Sequence, residues 1–64
     1  MLNTFRQEVK DASAVSLLNM IDAMEPILSE ADANNMIFTS KFISEAMSII
    51  TEEITWREED AGLA

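Results

Sequence analysis

The stretch FTSKFISEAMSIITEEITW, residues 38–56, decides the fold class because its apolar residues recur at helical spacing. At 100° per residue they form two neighbouring stripes. The first stripe contains Ile43, Ala46, Met47, Ile50 and Ile54, and the second contains Phe38, Phe42, Ile49 and Trp56. Together they cover about half of the helix circumference, whereas an ordinary surface helix has an apolar stripe of roughly 100°. We therefore predict a helix that packs against its own chain and also against another molecule.

An earlier segment, residues 4–31, predicts a first helix. Thr4 and Gln7 have the spacing of a capping box at its start, and the apolar residues of its second half keep a period of 3.6 residues. Pro26 lies inside this pattern, and its missing N–H removes one backbone hydrogen bond. Because apolar residues continue at the same spacing beyond it, we expect the helix to bend near Pro26 rather than end there.

The same segment is also compatible with two shorter helices in place of one. Phe5 and Val9 project some way around the helix from the apolar stripe that follows them. A break over residues 11–13 would explain this difference in direction. Ser13 or Asp11 would then be the N-cap of a separate helix.

Residues 32–35 read Asp-Ala-Asn-Asn and predict the turn between the helices, because Asp and Asn tolerate turn geometry and cap a following helix with their side chains. The second helix then spans residues 36–59, with Thr39 or Ser40 as a rival start. Residues 60–64 contain the chain's one glycine and predict a frayed tail.

These elements predict a single all-α domain, residues 1–64, in which two helices form an antiparallel hairpin. A core in a chain below about 70–80 residues rarely supplies more than roughly 3–5 kcal/mol. The chain has no Cys and no His, so a disulfide or a usual zinc site cannot add to this stability. The wide apolar face predicts self-association instead, first as a dimeric four-helix bundle and second as a tetramer.

The charge balance of the sequence indicates the class of partner. The formal net charge is −8, from 12 acidic and 4 basic residues, which argues against direct binding of nucleic-acid phosphates. It favours a basic protein partner, although a surplus of charge also keeps small proteins soluble. No apolar run approaches the ~20 residues of a membrane span, and the first residues lack a signal-peptide pattern. With no cysteine, the sequence predicts a cytoplasmic protein that does not bind membranes.

The sequence contains few of the residue types that commonly support catalysis. There is no His, Cys or Tyr, so the usual pairs of nucleophile and base are absent from the sequence. Adjacent carboxylates such as Glu52 and Glu53 point about 100° apart on a helix, which does not favour a metal site. We therefore expect no enzyme activity, no cofactor and no bound metal.

A line of carboxylates borders the second apolar stripe. Three glutamates seven residues apart form this acidic line: Glu45, Glu52 and Glu59. Three residues of the second stripe have the same spacing: Phe42, Ile49 and Trp56. Aromatic anchors provide affinity at protein interfaces, and charge complementarity steers the encounter. The candidate partner-binding ridge is therefore Phe38, Phe42, Glu45, Ile49, Glu52, Trp56 and Glu59. In the alternative interpretation the aromatic residues seal a dimer and the carboxylates occupy its solvent positions.

In size, helical character and acidic balance the whole chain resembles the phage-encoded small antirepressors, with stretches such as SLLNMID at residues 16–22 and FISEAM at residues 42–47. The resemblance implies that the partner is a repressor, which the protein releases from its operator without a cofactor. One rival is a hairpin-dimer RNA-binding regulator of the plasmid copy-control type, whose basic helix face this chain lacks. A second rival is a structural or assembly factor whose product is the oligomer itself.

Overall fold

Over residues 2–63 the protein forms three α-helices connected by short segments. The computed structural model describes the backbone of residues 2–63 and the side chains of residues 2–60. The helices are α1 (Leu2–Asp11), α2 (Ala14–Ala33) and α3 (Ile37–Leu63). No strand occurs within residues 2–63, which confirms the all-α class. No helix in this range is long and apolar enough to cross a membrane.

The first predicted helix is two helices, so the prediction of one continuous helix over residues 4–31 is wrong and the alternative break is confirmed. Ser13 is the N-cap of α2: its backbone is extended, and its side chain accepts a hydrogen bond from the backbone N–H of Ser16 at 3.1 Å. The break has a packing reason. It allows Phe5 and Val9, which are out of line with the α2 stripe, to reach the core from their own direction.

The predicted capping box at Thr4 does not form, because α1 already begins at Leu2. The side-chain amide of Gln7 lies 3.4 Å from the carboxylate of Asp11 instead, one helical turn further along. Pro26 lies inside α2, which continues past it to Ala33.

The end of α2 is a Schellman motif, in which backbone N–H groups beyond the helix bind its last carbonyls. The N–H of Met36 donates to the carbonyl of Ala31 at 2.9 Å, and the N–H of Asn35 donates to that of Asp32 at 3.2 Å. Asn35 has a φ of 57°, in the left-handed region that this motif requires. The two asparagines of the turn therefore end α2.

The helix boundaries near the turn differ from the prediction by one or two residues. α2 extends two residues into the predicted turn, and α3 begins at Ile37, so the rival starts at Thr39 and Ser40 are wrong. The side-chain amide of Asn34 donates to the carbonyl of Glu30 at 2.8 Å. Asn34 therefore caps the preceding helix, and the prediction that it caps the following helix is wrong.

The C-terminal boundary also differs. α3 continues through Leu63, so the predicted helix end at Glu59 and the predicted tail are wrong for residues 60–63. Residue 64, the last residue of that predicted tail, lies outside the described part of the chain.

α3 packs against both other helices. At its start, the hydroxyl of Ser40 donates to the carboxylate of Asp32 near the end of α2. Near its end, Arg57 contacts the connection between α1 and α2 at the carbonyl of Ala12. Helices α2 and α3 therefore run in opposite directions, and α1 lies beside the middle of α3, from Ser44 to Arg57. The resulting molecule is elongated, with extents of 44 × 21 × 16 Å.

The core lies where the three helices meet. Its buried cluster takes Val9 from α1, Leu17 from α2, and Ile49 and Ile50 from α3. Half-buried apolar side chains surround this cluster: Leu2, Phe5, Ala12, Met20, Ile21, Met24 and Ile54. Because each helix contributes a buried residue, loss of any one helix would expose the others.

We expect Asn35→Gly to leave the free energy of unfolding nearly unchanged and Asn35→Val to lower it by about 1–2 kcal/mol, since a left-handed backbone is costly for a residue with a Cβ. Urea denaturation followed by circular dichroism measures both variants. Equal stability of the glycine and valine variants would contradict the role assigned to this position.

Candidate interaction surface

The structure separates the predicted ridge into exposed and buried residues. The side chains of Phe38, Phe42 and Trp56 are exposed, at 89%, 47% and 62% of their full surface. Glu45, Glu52 and Glu59 are also exposed. Ile49 is only 8% exposed and belongs to the core cluster. The ridge is therefore interrupted at its centre, and Ile49 is not available on this surface.

Helix α1 causes this interruption. Val9 of α1 is buried in the same cluster as Ile49, and Leu2 and Phe5 pack against that cluster. The break at Ser13 allows α1 to fold back onto α3. Part of the excess apolar width of α3, which the sequence assigned to another molecule, is thus covered by the protein's own first helix.

Arg57 fixes the position of α1. One terminal guanidinium nitrogen, Nη2, donates to the carbonyl oxygens of Val9 at 3.3 Å, Lys10 at 3.1 Å and Ala12 at 2.8 Å. The Nε atom donates to the carboxylate of Glu53 at 2.8 Å. Both members of this ion pair are largely buried, with side chains 29% and 16% exposed. Arg57 therefore connects α3 to the C-terminal end of α1.

The contact matches the chemistry of a helix end. The last carbonyls of a helix have no donor within the helix and carry partial negative charge, so a cation that donates hydrogen bonds to them is stabilising. The sequence pattern does not indicate this role for Arg57. An isolated arginine four residues after Glu53 is the only local signal, and the carbonyls that it binds are 45 to 48 residues away in the chain.

A shallow cleft of about 680 Å³ lies between α1 and α3. Arg6 and Lys10 line it from α1, while Glu52 and Trp56 line it from α3. Among the described side chains, neither of these two cations forms a close ion pair with Glu52, so their attraction acts across the cleft. Glu52, the middle member of the acidic line, thus faces basic residues of the same chain.

The part of the described chain near the turn exposes further apolar side chains that the ridge did not include. Ile27 is 53% exposed, Met36 49% and Ile37 69%. We define the turn-end patch as Ile27, Phe38 and Phe42.

The turn-end patch and the site of α1 share one face. Ile27 lies about 80° around α2 from the buried Leu17, and Phe42 lies about 80° around α3 from Ile50, in the same rotational sense. Because the helices run in opposite directions, these residues face the same side. Ile49 is on this side too. The ten residues of α1 span about 15 Å against about 40 Å for α3, so α1 covers one end of the face and leaves the patch uncovered.

The opposite face of the α2–α3 pair is also partly apolar. Val15 is 67% exposed and Leu18 54% exposed. Leu18 lies on this opposite side because it is about 100° around α2 from Leu17, in the rotational sense opposite to that of Ile27. A shallow groove on the same side is lined mainly by small or flexible residues: Leu28, Ser44, Met47, Ser48, Thr51 and Glu52. The molecule thus has two distinct uncovered apolar regions.

Comparison with known proteins finds no family model that matches the chain and no match among curated proteins or solved structures. Within the described residues, no three carboxylates gather closely enough to hold a metal ion.

We expect Arg57→Ala to lower the free energy of unfolding by about 1–3 kcal/mol, because it removes hydrogen bonds from a charged donor to two carbonyls at the end of α1 and to the carbonyl of Ala12 just beyond it. Compared with the wild type, Arg57→Ala should speed amide hydrogen exchange in α1 more than in α2. Arg57→Lys should be intermediate, since it keeps the charge without the planar fork. The exposed Arg6→Ala is the matched control, and an equally large loss in that variant would refute this role for Arg57.

Proposed function

We propose that the protein is a non-catalytic, acidic protein-binding module that acts in the cytoplasm by sequestering a basic partner, with a DNA-binding repressor as the partner class. The observation that carries this proposal is the exposure of aromatic side chains, with Phe38 at 89% and Phe42 at 47%, on a chain of net charge −8. Exposed apolar patches with polar surroundings mark interaction sites. Aromatic residues are the commonest anchors of such sites.

Electrostatics support the choice of partner class. Proteins that bind nucleic acids have basic surfaces, and an acidic surface attracts them from a distance and speeds association. The same charge repels phosphate groups. A compact acidic protein with apolar anchors can therefore compete with DNA for a repressor, as the resemblance to small antirepressors also implies.

The proposal includes self-association, in which two α2–α3 hairpins, with α2 bent at Pro26, pair as a four-helix bundle. The face carrying Val15 and Leu18 supports this pairing because its exposed apolar residues lie beside small ones that allow close helix approach. The other face is partly occupied by α1. Pairing would bury apolar surface that a single short chain leaves in water.

We expect sedimentation equilibrium over a dilution series to give at least the mass of a dimer, with thermal stability that rises with protein concentration. Leu18→Gln should shift the equilibrium toward the monomer, because it places an amide in the apolar contact. Phe42→Ser should leave the mass unchanged. A wild-type chain that remains a folded monomer at every concentration would exclude self-association.

For partner binding, the expected activity is release of DNA. A regulator captured by the immobilised protein is identified, purified and bound to its labelled operator, and addition of the protein should free the DNA in a gel-shift assay. Phe42→Ser should weaken this release at least tenfold, which corresponds to about 1.4 kcal/mol or more. Leu18→Gln should retain the activity.

Two outcomes would reject the antirepressor function. Saturable binding of duplex DNA or RNA by the protein alone, with a steep salt dependence, would favour the RNA-binding rival. Capture of no protein other than the chain itself would favour the structural rival.

A further inference from the structure

Helix α1 shows what kind of element this surface accepts. Its apolar residues Phe5 and Val9 are four positions apart, and a basic residue, Arg6 or Lys10, follows each of them. Phe5 and Val9 pack into the core beside Ile49. Arg6 and Lys10 line the cleft that also contains a carboxylate of α3. One end of this face is therefore occupied by an amphipathic helix whose cations meet the acidic line.

The uncovered end of the face has the same chemistry. Ile27 and Phe42 supply an apolar floor on the side that α1 occupies further along. Glu30 and Glu45 are exposed, and each lies about 140° around its helix from the core in that same sense. One carboxylate thus stands along each outer edge of the floor, and Glu45 also lines a shallow hollow with Arg6 of α1, near the start of that helix. Lys41, the basic residue nearest in the sequence, lines a separate hollow beside the turn.

We infer that the turn-end patch is the docking site for a basic amphipathic helix of the partner, placed end to end with α1. This inference rests on the proposed function and specifies the part of the partner that binds. On the side of the patch, α1 reaches α3 as far as Ser44 and Glu45, so the uncovered length that begins at Ile37 is about 12 Å, enough for about two turns of a docked helix. We expect the sequence of the partner's helix to have the same pattern as α1, with apolar residues four positions apart, each followed by Lys or Arg.

Charge argues against a second copy of this chain as the occupant. If two copies met patch to patch, each would bring its own edge carboxylates, Glu30 and Glu45, into the contact, and like charges in contact oppose association. A basic helix neutralises both edges while its apolar residues cover Ile27 and Phe42. It would also cover Phe38, whose side chain is 89% exposed.

The test uses the full-length protein and three fluorescent alanine-based peptides of about 18 residues, long enough for helix formation. All three carry Phe and Val four residues apart. In the first peptide each of these is followed by Arg or Lys, in the second by Gln and in the third by Glu. Fluorescence anisotropy should show saturable binding of the basic peptide at least ten times tighter than that of the Gln peptide, and no binding of the Glu peptide.

Variants locate the binding site. Phe42→Ser should weaken binding of the basic peptide at least tenfold. The double variant Glu30→Gln with Glu45→Gln should weaken it several-fold and reduce its salt dependence. Glu58→Gln, an exposed carboxylate on the opposite side of α3, is the matched control and should bind normally. Circular dichroism verifies that each variant keeps its helix content.

Three results would overturn the inference: equal affinity for the basic and Gln peptides, full binding by Phe42→Ser, or a halved mass of Phe42→Ser, which would identify a second copy as the occupant.

Failure of the proposed function gives a different result. If the basic peptide binds but no regulator releases its operator, the docking site stands and the function fails. If Phe42→Ser releases the operator as well as the wild type, the docking site alone fails.

Discussion

The hydrogen bonds from Arg57 to the last carbonyls of α1 are the interaction on which the arrangement of the three helices depends. A helix of ten residues is marginal in water by itself, so α1 requires contacts with the rest of the chain. Its apolar side chains supply some of these contacts, and the guanidinium satisfies its C-terminal end. With α1 in place, Val9 completes a core that α2 and α3 alone would leave open.

The short length of α1 also determines the surface. A helix of about 15 Å covers only part of an α3 face that is about 40 Å long. Ile49 lies under α1 and serves the core, whereas Phe42, on the same side and two turns earlier, remains in water. One continuous apolar stripe in the sequence therefore has two roles in the structure. Its C-terminal part stabilises the fold, and its part near the turn remains uncovered.

The few basic residues are unevenly distributed, and this sharpens the acidic character of the remaining surface. Arg6, Lys10 and Arg57 all lie at the boundary between α1 and α3. Lys41, beside the turn, is the fourth. The surface away from that boundary therefore carries most of the uncompensated carboxylates. This distribution supports a basic partner more strongly than the net charge does, because Arg6 lines a hollow with Glu45 but no described cleft places a cation beside Glu30.

Local features were predictable from the sequence. The 3.6-residue period of apolar residues indicates α2 and α3, and short-range contacts of Ser13 and the Asn-Asn turn specify where helices begin and end. Such features involve residues a few positions apart, which the sequence shows directly. The burial of Ile49 and the role of Arg57 were decided by the tertiary structure alone. Both depend on α1 meeting α3 across more than 40 residues of chain, and the periodicity of a single helix does not show which neighbour covers its second stripe.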